Sequence, residues 1–113
     1  MNEPANPIGV GSLFVMSWGY DQTNVDAFQV TRVTPKGVYV REIKTVGVVG
    51  SNTGGMSQKV KAVKDGFATT GQWCGDENKE LFRKIVNNGF SIKSRYRANL
   101  TTEQAEHYES WYA

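Results

Sequence analysis

A single cysteine, Cys74, and a single histidine, His107, supply all the thiol and imidazole chemistry of this chain. One cysteine forbids an internal disulfide and any zinc site built on cysteines, and it suits a reducing, cytosolic setting. One histidine limits any triad, and neither a nucleophile elbow nor an HExxH spacing is present. No stretch approaches the roughly 20 apolar residues that a membrane span requires. The start, MNEPANPIGVG, lacks the basic and apolar regions of a signal peptide. These absences point to a soluble cytoplasmic protein with no membrane partner. The glycine patterns that cradle phosphates are missing too, so Gly50–Gly55 is expected to be a surface hairpin loop, and no cofactor is expected.

Strong charge of either sign is also lacking. The 113 residues carry a net charge of only +2, which selects no partner class. The distribution is uneven: residues 59–97 hold nine Lys/Arg against four Asp/Glu, and residues 98–113 hold three Glu with no Lys or Arg. A solvated sheet face beside a solvated helix accounts for that pattern, and a surface for an anionic ligand is the sharper alternative.

What the chain does have is β-forming sequence. Three runs, Leu13–Tyr20, Val25–Thr34 and Val38–Ile43, are dominated by residue types that fit a pleated, half-buried surface. Val38 and Val40 alternate with Tyr39 and Arg41, so the valines face a core. Phe28 and Val30 share a face that Val33 then leaves, and a bulge would repair the phase. Thr34-Pro35-Lys36-Gly37 is a hairpin turn, with Pro presetting φ and Gly permitting a positive one. Asp21-Gln22-Thr23-Asn24 is a second polar link. The result is a β-meander, with Val46 and Val48 extending its third strand.

Gln58–Lys64 follows as an edge strand guarded by Lys59, Lys61 and Lys64; a basic strand lying along nucleic acid is the alternative. Phe67 and Trp73 anchor the next connection, with Cys74 as a small apolar filler. Asp76–Gly89 is ambiguous: Leu81, Phe82, Ile85 and Val86 fit one helical face, while Asn88-Gly89 is a hairpin signal. Phe90–Tyr96 alternates as a strand. Leu100–Trp111 is expected to be helical, with a capping box from Thr101 to Gln104 and with His107 facing solvent beside Glu103 and Glu106. Ala105, Tyr108 and Trp111 would then face the body. The expected fold is one mainly β domain, a small SH3-like barrel or curled antiparallel sheet of about five to seven strands. Its core spans residues 12–97, between a loose N-terminal arm (1–11) and a short C-terminal helix (100–111).

Catalysis has little to work with. Asp21 and Asp26 would suit acid–base chemistry, but turn capping explains the first and a loop amide the second. Of the aromatic set Trp18, Tyr20, Phe28 and Tyr39, Trp18 and Tyr20 project from one sheet face and, with Arg41 or Arg32, would make a stacking platform for bases or a hot spot for a protein. Burial as core is the competing fate. The expected binding set is Trp18, Tyr20, Asp21, Asn24, Asp26, Tyr39 and Arg41, with Lys59, Lys61, Lys93, Arg95 and Arg97 on the basic strands around it.

The stretch Ser17–Asp26 (SWGYDQTNVD), followed by Phe28-Gln29-Val30 and Val38-Tyr39-Val40-Arg41, resembles a family of small uncharacterised proteins of phages, plasmids and bacterial mobile elements. The likeness is specific over residues 12–43 and resumes weakly at Leu81–Val86, Ile92–Tyr96 and Glu109–Ala113. Ala27 stands where the family commonly has an aromatic. The resemblance implies a compact β domain and makes Leu81–Val86 a strand of a hairpin closed by Asn88-Gly89. It brings no established activity, only a setting in which small proteins bind nucleic acid or block host defence proteins. The functional expectation is a non-enzymatic binding protein, monomer or weak dimer, with nucleic acid as its ligand. The alternative is an inhibitor or adaptor that binds a host or phage protein.

Overall fold

The computed structural model describes residues 8–19, 23–51, 57–93 and 96–110. Among these, eight strands form one antiparallel sheet: β1 (Leu13–Trp18), β2 (Asn24–Thr34), β3 (Gly37–Gly47), β4 (Ser57–Phe67), β5 (Leu81–Arg83), β6 (Gly89–Lys93), β7 (Tyr96–Thr101) and β8 (His107–Ser110). The order is β6-β7-β1-β2-β3-β4-β8, and β5 pairs with β3 beside β4. The meander β1-β2-β3 matches the sequence pattern, including a bulge between Val30 and Arg32 and a third strand running through Val46. In the turn after β2, Thr34 Oγ1 accepts the Gly37 amide at 3.1 Å. Gly37 is there for space rather than for a positive φ: a Cβ would stand 2.5 Å from the Arg83 carbonyl oxygen and 2.8 Å from the Phe82 ring.

Alternation along the strands sends side chains to two cores, one on each face of the sheet. Phe14, Met16, Phe28, Val30, Val38 and Val40 join Phe90, Ile92, Ala98 and Cys74 in the larger one. Leu13, Ala27, Ile43 and Ala62 form the smaller, with Phe67 against them. A flat sheet would hold β1 and β4 about 14 Å apart. They approach within 8 Å at Cα, so the sheet bends around the second core.

The sheet does not close into the expected SH3-like barrel. β6 and β8 are its ends, because β8 reaches back to touch only the entry of β2. There the Ser110 amide donates to the Thr23 carbonyl at 2.9 Å, and the Thr23 amide donates to Ser110 Oγ at 3.0 Å. The expected C-terminal helix is absent as well. β7 absorbs Leu100 and Thr101, a bond from the Ala105 amide to the Thr102 carbonyl (3.3 Å) makes a single turn, and β8 pairs with Ser57–Val60. A helix of only about three turns is marginal whatever its cap, whereas the edge of β4 offers a row of unpaired backbone groups. That pairing also covers half of the strand expected to be an edge. It leaves His107 half-buried and Tyr108 57% exposed, the reverse of the helical expectation. Trp111 lies outside the described residues.

The hairpin expected to close at Asn88-Gly89 is shifted and short. Asn87 and Asn88 are its central residues, both at positive φ (52° and 60°), with Val86 and Gly89 exchanging bonds of 2.8 and 3.2 Å. β5 then pairs with β3 rather than β6. Residues 1–7 of the expected arm and 52–56 of the glycine loop lie outside the described residues. Residues 8–11 are docked rather than loose: Ile8 packs on the larger core, and the Gly11 amide donates to the Val30 carbonyl at 2.9 Å. Among the described residues no helix is long and apolar enough to cross a membrane.

Candidate functional site

The expected binding residues divide between the two faces of the sheet. Trp18, at the end of β1, and Asp26, near the start of β2, project toward the larger core. Asp26 Oδ2 accepts the indole N–H of Trp18 at 2.6 Å and that of Trp73 at 2.9 Å. The two indoles meet edge-on with centroids 5.5 Å apart, and Tyr96 lies 6.0 and 5.8 Å from them. All three rings are partly buried against the core. Trp18 is therefore held in a ring cluster, and Asp26 serves as the acceptor that ties two indoles together. Asn24 pairs with Trp18 in the ladder and is half-buried. Tyr20, Asp21 and Arg95 lie outside the described residues, and Lys93 closes β6.

Trp73 owes its place to a buried carboxylate. Glu42 reaches from β3 into the loop after β4 and accepts three consecutive amides, from Gln72 (3.0 Å), Trp73 and Cys74 (2.9 Å). A Cβ on Gly71 would stand 2.8 Å from that carboxyl group, so glycine leaves the room it needs. Burial, then the Glu42 charge, pushes the Cys74 thiol up to about 11. It is a protonated filler at neutral pH, not a nucleophile.

Tyr39 and Arg41 project to the opposite face, because Val38 and Val40 occupy the larger core. There Arg32, Tyr39 and Phe82 form a row across β2, β3 and β5. The Arg32 guanidinium lies 3.9 Å over the Tyr39 ring, and the Tyr39 and Phe82 centroids are 5.2 Å apart. The Arg41 guanidinium sits 4.7 Å over Phe67, and its Nε donates to the Asn78 carbonyl at 2.8 Å. Phe82 is 41% exposed. With Tyr39, Thr34, Pro35 and Lys36 it lines an apolar cleft of about 350 Å³. Glu80 borders the row, accepting from the Thr31 hydroxyl (2.5 Å) and pairing with Arg32 (3.2 Å). The Thr31 hydroxyl, followed by Arg32, holds its carboxyl below the usual carboxylate value.

In this row Arg32 and Tyr39 are both candidates from the sequence, but nothing local to Phe82 announces its pairing with Tyr39. The basic strands do not add to it as one patch. Lys59 and Lys61 lie on β4 and Arg97 on β7, with β1, β2 and β3 between them in sheet order. Arg97 instead binds the hairpin turn, donating to the carbonyls of Val86 and Asn87. His107 Nε2 lies 3.1 Å from Thr101 Oγ1, and burial lowers its pKa. Among the described residues no three His, Cys, Asp or Glu side chains cluster as metal ligands. Comparison with protein-family models, with curated proteins and with solved structures gives no match for this chain.

Proposed function

We propose that this is a non-enzymatic binding protein whose ligand is nucleic acid with unstacked bases. The observation that supports it is the Arg32–Tyr39–Phe82 row, in which an exposed ring and a cation share one sheet face. Phe82 offers a stacking surface and the cleft beside it has room for a base, while Arg32, Lys36 and Lys84 are exposed nearby to meet phosphates. Stacking on an aromatic contributes about 1–3 kcal/mol per base. Fluorescence anisotropy with short single- and double-stranded DNA and RNA at about 50 and 200 mM salt tests this. Micromolar binding of a single strand that weakens steeply with salt, and falls about tenfold in Phe82→Ala, is expected. No binding at low salt, or binding indifferent to Phe82→Ala, removes the basis of the proposal.

A protein ligand is the second reading, favoured by the exposed apolar side chains of Val33 (49%), Phe82 and Val86 (52%). Capture of one cellular protein that persists at high salt and is lost in Phe82→Ala would support it. Both readings suit the mobile-element setting that the resemblance implies.

A further inference from the structure

Glu80 does more than border the aromatic row. It stands just before β5, on one edge of β3, yet its carboxylate ends on β2, at the other edge. There Oε2 accepts the Thr31 hydroxyl at 2.5 Å, and Oε1 accepts Arg32 Nε at 3.3 Å and Nη2 at 3.2 Å. Arg41, two residues beyond Tyr39 on the same face, adds the field of a second positive charge, and among the described residues it pairs with no carboxylate. A guanidinium and a hydroxyl thus hold one anion, in a setting that suits a phosphate as well as a carboxylate. This anion lies within one nucleotide's reach of the stacking ring. Arg32 touches both the carboxylate and the Tyr39 ring, and Tyr39 touches Phe82. Along the chain Glu80 and Phe82 are two positions apart, about 7 Å in an extended strand, which is close to the span from a nucleotide's phosphate to its base. The side chains of Arg32 and Glu80 are 58% and 32% exposed, so the carboxylate can leave without disturbing either core.

We propose that the Thr31–Arg32 cradle is the phosphate subsite of the Phe82 cleft, and that Glu80 occupies it until a phosphate of the ligand takes its place. The inference rests on the nucleic-acid reading above. The incoming group is a phosphodiester, which carries the same single negative charge as the carboxylate. It takes the Thr31 hydroxyl and the Arg32 fork while its base lies on Phe82. Exchange of one anion for another leaves Thr31 and Arg32 partnered throughout, and an exposed ion pair is weak enough to be exchanged. Glu80 also sets what can bind. A tethered carboxylate competes at an effective concentration on the order of millimolar. A ligand with no phosphate beside its base has nothing with which to displace it, so it gains the stacking contact alone.

The test measures fluorescence anisotropy with two oligothymidines of one length, one with native phosphodiesters and one with uncharged methylphosphonate linkages. Glu80→Ala should bind the native strand about fivefold more tightly than the parent, the effect of removing one exposed ion pair. It should bind the uncharged strand no better. Glu77→Ala removes the same charge three positions away, from a carboxylate paired with Lys79 rather than with the cradle. Its affinity should rise by under about twofold. Arg32→Gln added to Glu80→Ala should cancel the increase. Both glutamates are exposed, so the variants should keep the native fold, which the near-ultraviolet spectrum checks. Equal increases in Glu80→Ala and Glu77→Ala, an increase that survives Arg32→Gln, or a parent that binds while Glu80→Ala binds no better, overturns the exchange and leaves the Phe82 site standing. No binding of either strand by the parent or any variant overturns the nucleic-acid reading, and the exchange with it.

Discussion

Gln29 and Asp65 exchange two hydrogen bonds across the bent sheet: the Gln29 carboxamide donates to Asp65 Oδ1 at 2.8 Å and accepts the Asp65 amide at 2.7 Å. The exchange holds the loop-out of β4. Ala62 pairs with Thr45 and Phe67 with Ile43, so residues 63–66 stand opposite Lys44 alone. Asp65 is at a φ of +64° within it. Gln29 is itself buried on the smaller-core side, and its carboxamide replaces the ladder partner that the loop-out lacks.

Gln29→Leu should therefore cost about 2 kcal/mol, the effect of leaving the Asp65 amide without its partner. Asp65→Asn keeps an acceptor oxygen and tolerates the left-handed conformation, so it should change stability by under about 0.5 kcal/mol. Urea unfolding of both variants provides the measurement. Equal stability of Gln29→Leu and the parent would show that the loop-out holds itself.

Asp26→Ala should cost about 2–4 kcal/mol, because two indole N–H groups lose one charged acceptor. Asp26→Asn retains an oxygen and should cost less. Near-ultraviolet circular dichroism reports the edge-on Trp18–Trp73 pair, and its signal should fall in the alanine variant. An unchanged spectrum with unchanged stability would contradict the anchoring role.

Glu42→Gln replaces one acceptor oxygen with a donor facing amide N–H groups, in a site that has no room for rearrangement beside Gly71. A loss of about 3 kcal/mol is expected. Cys74, whose amide is one of the three, gives the local readout. In the native protein it should resist thiol reagents at pH 8, being buried with its pKa pushed up to about 11. In the variant it should react in minutes. Rapid reaction of the native thiol would mean that the loop opens without losing Glu42.

Stability should also depend on His107. Its folded pKa lies below the ordinary 6.5 because it is partly buried on β8. The unfolded chain thus takes up the proton first as the pH falls. The contribution is fully present above about pH 6.5 and is lost between that value and the lowered folded one, by at most about 1.4 kcal/mol per pH unit. His107→Gln should flatten that part of the pH profile. A profile that stays steep in the variant would place the titration elsewhere.

Much of the sheet was legible because alternation and turn chemistry are local. Val38 and Val40, the Thr34–Gly37 turn and the bulge before Arg32 all follow from neighbouring residues. The end of the chain was not, because Thr101–Gln104 carries a real capping signal and loses to an edge of β4 more than 40 residues away in sequence. The candidate site shows the same division. Tyr39 and Arg41 were identifiable from the strand pattern, while Phe82 joins them only through the β3–β5 pairing. For Trp18 the sequence leaves both a platform and core burial open, because nothing near it announces Trp73 or the Asp26 oxygen that both indoles share.

One edge of β3 is divided, with its first half on β5 and its second on β4. At the parting, the Glu42 carbonyl keeps only the Ala68 amide, at 3.3 Å, and the Glu42 amide has no strand partner; the carboxamide of Asn78 fills the gap. Asn78 Oδ1 accepts the Glu42 amide at 3.0 Å, and Nδ2 donates to the Glu42 carbonyl at 2.8 Å and to that of Ala68 at 2.9 Å. A side chain thus stands in for a missing peptide unit, with the donor and acceptor of a strand but without its direction. Neither aspartate nor leucine offers both groups at that reach, so the position admits asparagine alone on hydrogen-bonding grounds. The segment between Ala68 and Asn78 is correspondingly released from following the sheet. It can wind through the Gly71–Gly75 turn, carry Trp73 to Asp26, and return to the edge of the same strand that it left.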